Sequence, residues 1–221
     1  EVDDLDSDGV AAPSAPDDLG VDFAEDSDLE EESDDVPFLE DDVNTDQIAP
    51  IPTKRSLKPD YREMFFFRAR RLNDDTLDPD QVFNRPQFAS PSILVAGRNF
   101  GCGSSREGAV WTMMAVGVTC IIARSIADLY RENCKQDGVL PVELPDPVAE
   151  AFEKRVVAAN GAAPFTVNLE TQTISGPGGA DIRFDISDAD RTRLLEGLDD
   201  IGMSLKHSQE ISAWEARTSV G

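Results

Sequence analysis

In the middle of the chain, three short apolar runs alternate with two stretches of helical periodicity. "SILVAG" (92–97) predicts a buried strand, and "REGAVWTMMAVG" (106–117) a helix stopped by Gly117. "VTCIIA" (118–123) predicts a second buried strand. "SIADLYRENCKQDG" (125–138) predicts a helix with Ser125 as a candidate cap and Gly138 as its stop, and "VLPVEL" (139–144) a third strand. Strand, helix, strand, helix, strand is the signature of a parallel α/β layer with right-handed crossovers.

The flanks are patterned more weakly. Downstream, "PVAEAFEKRVVAA" (147–159) predicts an amphipathic helix and "FTVNLETQTISG" (165–176) a hairpin pair. In "DIRFDIS" (181–187), Ile182, Phe184 and Ile186 fall on one face of a strand, with Arg183 and Asp185 on the other. "DADRTRLLEGL" (188–198) predicts a capped helix and "QEISAWEART" (209–218) a last short one. Upstream, "DDVNTDQIAP" (41–50) predicts a polar turn with a short apolar step. A loop is expected over 52–58, a short helix over 60–67, and a proline-punctuated loop over 76–88. No internal repeat is present. The expectation is one α/β domain, a mostly parallel sheet flanked by helices.

Charge changes this picture only at one end. The formal net charge is -24, but residues 1–42 hold 19 of the 44 acidic side chains and no Lys, Arg or His. The remaining 25 acids face 20 bases, so the body is nearly balanced. A run such as "DDLGVDFAEDSDLEEESDD" buries too little apolar surface to offset the entropy of ordering, and its charges repel. Residues 1–36 are therefore expected to be a disordered acidic tail, with the ordered domain over 37–221. The balanced body argues against nucleic acid as a partner. No run of 18 apolar residues is present, so no membrane span is expected, and the first residues lack the pattern of a secretory signal. Three cysteines, Cys102, Cys120 and Cys134, match no zinc or iron–sulfur ligand spacing. An odd count without CxxC fits reduced thiols in a cytoplasmic protein.

The candidate chemistry lies in "GRNFGCGSSREGAVW" (97–111). This turn leaves a buried strand and enters a helix, at the sheet edge where α/β proteins bind ligands. A helix N-terminus attracts anions. Gly101 and Gly103 allow close backbone approach or positive φ, and Arg106 can hold a carboxylate through two parallel hydrogen bonds. A second reading is open: Ser104 to Glu107 fits the capping box S-x-x-E, a purely structural device. The turn is neither a P-loop, since no Gly-Lys-Ser/Thr follows, nor a nucleophile elbow, and the single His207 lies in no partner motif. A serine without a histidine base can still move protons if helix N–H groups and an arginine stabilise its alkoxide.

"NFGCGSSRE", with "VLPVEL" behind it and "VNTDQIAP" ahead, resembles the 3-isopropylmalate dehydratase small-subunit family, the detached swivelling domain of the aconitase superfamily. The likeness runs from about residue 41 to 217. It implies a single swivelling β/β/α domain and half of a hydro-lyase. A large subunit would carry a 4Fe–4S cluster on its own cysteines, and this chain would hold no metal. Carried over, the resemblance makes Ser104 the catalytic base, with Asp46 across the site. Thr45, Gly103, Ser105 and Arg106 would bind substrate, and Lys54, Arg55 and Lys58 would lie in a substrate-selecting loop. The substrate would be 2- and 3-isopropylmalate in leucine biosynthesis.

Two departures keep alternatives open. Gly108 stands where the family usually has histidine, and "PTKRSLKPDYREMFFF" differs from the form expected for isopropylmalate. Lys54, Arg55 and Lys58 could meet an extra carboxylate, as in homoaconitate, or be solvated or face the large subunit. Methylmalate and dimethylmalate are rival substrates, and a non-catalytic anion-binding relative is the rival of another class.

Overall fold

The computed structural model describes residues 34–50 and 59–218. Its centre is a four-stranded parallel sheet in the order β1 (Asp34–Phe38), β2 (Pro91–Ala96), β3 (Cys120–Ala123) and β4 (Leu140–Glu143). Phe38, Ala96, Ala123 and Glu143 pair across neighbouring strands, so all four carboxyl ends finish in one row. The strand order never reverses. Successive right-handed crossovers in one direction must then lie on one face. That face carries α1 (Thr45–Ile48), α2 (Tyr61–Met64), α3 (Gly108–Val116) and α4 (Asp128–Gln136). Two 3-10 turns, at Val82–Asn84 and Pro86–Phe88, complete it.

The opposite face needs separate cover, because strands of unbroken Ile, Val and Leu are stable only when buried on both sides. It receives α5 (Asp146–Ala159) and a second, antiparallel sheet of β5 (Thr166–Asn168), β6 (Thr173–Ser175) and β7 (Ile182–Arg183). The period-2 alternation of strand side chains divides the core. Leu94, Ala96, Ile121 and Ala123 point to α3, α4 and the aromatic cluster of Phe65, Phe66 and Phe83. Ile93, Val95, Cys120 and Ile122 point to Phe152, Phe165, Ile174 and Phe184. The described residues end in α6 (Asp188–Glu196), α7 (Asp200–Leu205) and α8 (Ser208–Thr218).

The α/β class and strands β2, β3 and β4 agree with the sequence pattern. Three details differ. Composition puts the start of the ordered body at residue 37, yet β1 begins at Asp34. Asp35 is buried there and accepts the Phe165 N–H at 2.6 Å. Its carboxylate belongs to the packing of β1 on the second sheet, which a count of acids cannot reveal. The hairpin strands form their own sheet and leave the central one wholly parallel. Ser125 does not cap α4, whose N-cap is Ala127; the Ser125 hydroxyl accepts the Asn99 N–H at 2.8 Å instead. Residues 1–33, expected to form most of the tail, lie outside the described residues.

Candidate active site

The loops after β1 and β2 continue the pairing of those strands beyond the sheet. The Asp42 N–H donates to Arg98 O (2.9 Å), the Gly101 N–H to Val43 O (2.8 Å) and the Thr45 N–H to Cys102 O (2.9 Å). Asp41 Oδ1 accepts the Arg98 N–H at 2.6 Å, and Asp42 Oδ1 accepts from Asn99 Nδ2 at 2.8 Å. This clasp sets where the glycine-rich turn lies. At Gly101, φ is +75° and an added Cβ would fall 2.2 Å from Cγ of the buried Tyr130 ring, so only glycine fits. Gly103 follows at φ +100° and turns the chain toward α1.

α1 opens with a capping box that the sequence pattern had not singled out: Asn44 Oδ1 accepts the Gln47 N–H (2.9 Å), and Gln47 Oε1 accepts the Asn44 N–H (2.8 Å). This fixes Thr45, which is fully buried. Its hydroxyl donates to Ser104 O at 3.1 Å and lies 3.2 Å from Ser104 Oγ. Arg106 Nε–H donates to Ser104 Oγ at 2.9 Å, and Arg106 NH2 is paired with Asp46 Oδ1. The Ser104 hydroxyl therefore sits between a buried hydroxyl and a guanidinium, while Ser104 itself is exposed. A cation donating directly to an alcohol oxygen favours its deprotonated form.

Of the residues expected at the site, Thr45, Asp46, Ser104 and Arg106 form one connected cluster, with Gly103 beside Thr45 Oγ1. Ser105 is exposed next to them and has no hydrogen-bond partner among the described residues. Lys54, Arg55 and Lys58 lie outside the described residues. The capping-box reading of Ser104 and Glu107 does not hold. α3 begins at Gly108, its N-cap Glu107 makes no side-chain cap, and the Ser104 hydroxyl is turned to Thr45 and Arg106. With no switch in strand order, the site is built by two adjacent loops rather than in a crevice between strands.

Asp46, Ser104 and Ser105 are exposed, so the cluster lies at the surface. A groove of about 540 Å³ lies elsewhere, between α4 and residues 183–190, and its Arg131 and Lys135 are already paired with Glu143 and Asp190. Among the described residues no group of three or more His, Cys, Asp or Glu could hold a metal ion. The cysteines do not suit a cluster either. Burial pushes the thiols of Cys120 and Cys134 well above their ordinary range, and Cys102 points its thiol at Asp42 O, 3.4 Å away. Among the described residues, no helix is long and apolar enough to cross a membrane.

Residues 54–147 match the model of the aconitase C-terminal domain, and residues 155–188 match that of LeuD_N. A 3-isopropylmalate dehydratase small subunit from Rhodospirillum centenum is 43% identical over 177 residues, 79% of this chain and 86% of that protein. Its counterpart from Rubrobacter xylanophilus is 41% identical over 180 residues, 81% of this chain and 89% of that one. In structure, the chain resembles the 3-isopropylmalate dehydratase (leuD) of Methanocaldococcus jannaschii, with a TM-score of 0.54 and 23% identity over 83% of this chain and 97% of that one.

Proposed function

The chain belongs to the family of 3-isopropylmalate dehydratase small subunits, and on that premise we propose that it is the half of a hydro-lyase that completes an active site on a larger partner. The reaction isomerises 2- and 3-isopropylmalate by loss and re-addition of water, a step of leucine biosynthesis. The Ser104 oxygen, as alkoxide, takes the proton from the carbon next to a substrate carboxylate, and returns a proton in the opposite direction. Arg106 holds that oxygen through Nε and offers the outer edge of its guanidinium to a carboxylate. Asp46 orients the guanidinium from the far side, and Thr45 fixes the serine backbone. The exposed Ser105 is free to bind substrate.

The three cysteines, all among the described residues, do not suit a cluster, and we assign the 4Fe–4S group to the large subunit, where it would supply Lewis acidity toward the substrate hydroxyl. The exposure of Asp46, Ser104 and Ser105 supports this division: a site completed by another subunit needs its half exposed. Three cysteines without a disulfide among them support a reducing, cytoplasmic setting.

One observation carries the reading: an exposed serine hydroxyl accepts from Arg106 at 2.9 Å at the mouth of the glycine turn. The test is Ser104→Ala in the complex with the large subunit. kcat should fall by about 10²–10⁴ with assembly unchanged. A rate within a few-fold of the unaltered complex would refute the role, and turnover by this chain alone would refute the division of labour.

A further inference from the structure

The described groups around Ser104 are polar: Thr45, Asp46, Ser105 and Arg106. These groups suit carboxylates and a hydroxyl. A branched hydroxy acid also carries a hydrocarbon arm, which needs an apolar surface.

Among the described residues, the Tyr61 side chain reaches this end of α3 from a neighbouring element. Tyr61 opens α2, fixed there by Asp60, whose carboxylate accepts the Glu63 N–H at 3.1 Å. Its ring packs edge-on against Trp111 of α3, with centroids 5.5 Å apart at 77°. Helical Cα–Cβ bonds tilt toward the helix N-terminus. A Cβ added at Gly108, the first residue of α3, would lie 3.7 Å from Tyr61 Cε1. The ring therefore lies over the first turn of α3, against the residue that directly follows the 103–107 loop, and Gly108 puts no side chain in front of its edge. Tyr61 is half-buried, and burial raises the pKa of its phenol.

Resting on the hydro-lyase reading above, we infer that Tyr61 is a specificity-determining residue: its ring is the apolar wall on which the hydrocarbon branch of the substrate packs while Arg106 holds a carboxylate. Gly108 is the complement of that wall: a Cβ there would already touch the ring at 3.7 Å, so a side chain longer than alanine would compete for its space.

The test uses the complex with the large subunit and two substrates, 3-isopropylmalate and unbranched malate. Each is assayed with the unaltered chain, Tyr61→Phe, Tyr61→Ala and Tyr61→His. Tyr61→Ala should lower kcat/KM for the branched acid by about tenfold or more, chiefly through KM. Malate should change less than about twofold, so the preference collapses. Tyr61→His, which keeps a ring against Trp111 but makes it polar, should shift the preference in the same direction, and Tyr61→Phe should restore it. Equal losses on both acids would mark Tyr61 as merely structural and overturn the inference, as would an unchanged preference in both Tyr61→Ala and Tyr61→His. If the unaltered complex does not turn over the branched acid, the functional reading itself fails and the inference with it. Turnover with an insensitive preference defeats the inference alone.

Discussion

Gly101→Ala should damage the fold through a single methyl group. The added Cβ would lie 2.2, 2.3 and 2.7 Å from Cγ, Cδ1 and Cβ of Tyr130. Carbon atoms rest at about 3.5–4.0 Å, so more than about 1 Å of clearance must be found. Tyr130 cannot supply it, being 2% exposed and packed against Phe100 with ring centroids 5.7 Å apart. Overpacking of this kind costs about 1–3 kcal/mol. Holding a non-glycine residue at φ +75° adds about 1–2 kcal/mol. Together these give about 2–5 kcal/mol, or a fall in Tm of about 5–15 °C for a domain of this size. Thermal unfolding followed by circular dichroism measures it, with Gly108→Ala as the matched control. At Gly108 the new Cβ would meet only Tyr61, at an ordinary 3.7 Å, with no positive φ. There alanine should leave Tm unchanged or raise it, since it is the better helix former by up to about 1 kcal/mol. A Tm for Gly101→Ala within about 2 °C of the parent would refute the overlap, and so would equal losses at the two glycines.

Two further outcomes follow from buried charges. Burial, reinforced by the nearby Glu107 charge, raises Asp137 from its ordinary 3.8 to about 6, against the hydrogen bond from Trp111, which lowers it. The folded state thus binds this proton more tightly than the unfolded chain, so stability falls as pH rises from about 4 to about 6 and is flat beyond. Asp137→Asn should remove that slope and, after allowance for solvent screening, stabilise the protein at pH 7 by about 1 kcal/mol; urea melts at pH 4.5 and 7 would expose an unchanged slope. Glu153→Gln breaks a forked pair in which Arg124 Nε and NH2 donate to Oε1 and Oε2 at 2.7 and 2.5 Å, with Glu153 buried. Its Tm should drop further than that of Glu150→Gln, which loses only a surface pair with Lys154; coincident melting curves would show that the buried pair adds nothing.

Elements whose signal is local were legible in advance. Strands β2, β3 and β4 fall within two residues of their apolar runs, since a strand covered on both faces can hold little else. Gly117 ends α3 in the left-handed conformation as its position suggests, and Ser187 caps α6 by accepting the Asp190 N–H. α7 was missed: its cap, Asp199, sits in an acidic "LDDIG" that reads as loop, and the helix buries no residue, so no apolar stripe marks it. The box at Asn44 and Gln47 was visible as N-x-x-Q but stood beside a helix of only four residues.

By itself the sequence determined where the backbone must bend and which groups are available there: the glycines, the two serines and Arg106 between a strand and a helix. Only the tertiary structure decided what those groups are for. Ser104 and Glu107 stand in the spacing of a helix cap, yet the partners of Ser104 are Arg106 and, 59 residues upstream, Thr45. Asp35 reads as tail and is a buried strand residue. The reason is common to both. Spacing along a chain fixes only neighbours within a turn or two, whereas β1 and β2 become adjacent through pairing, and that pairing carries residues 41–46 onto 98–106.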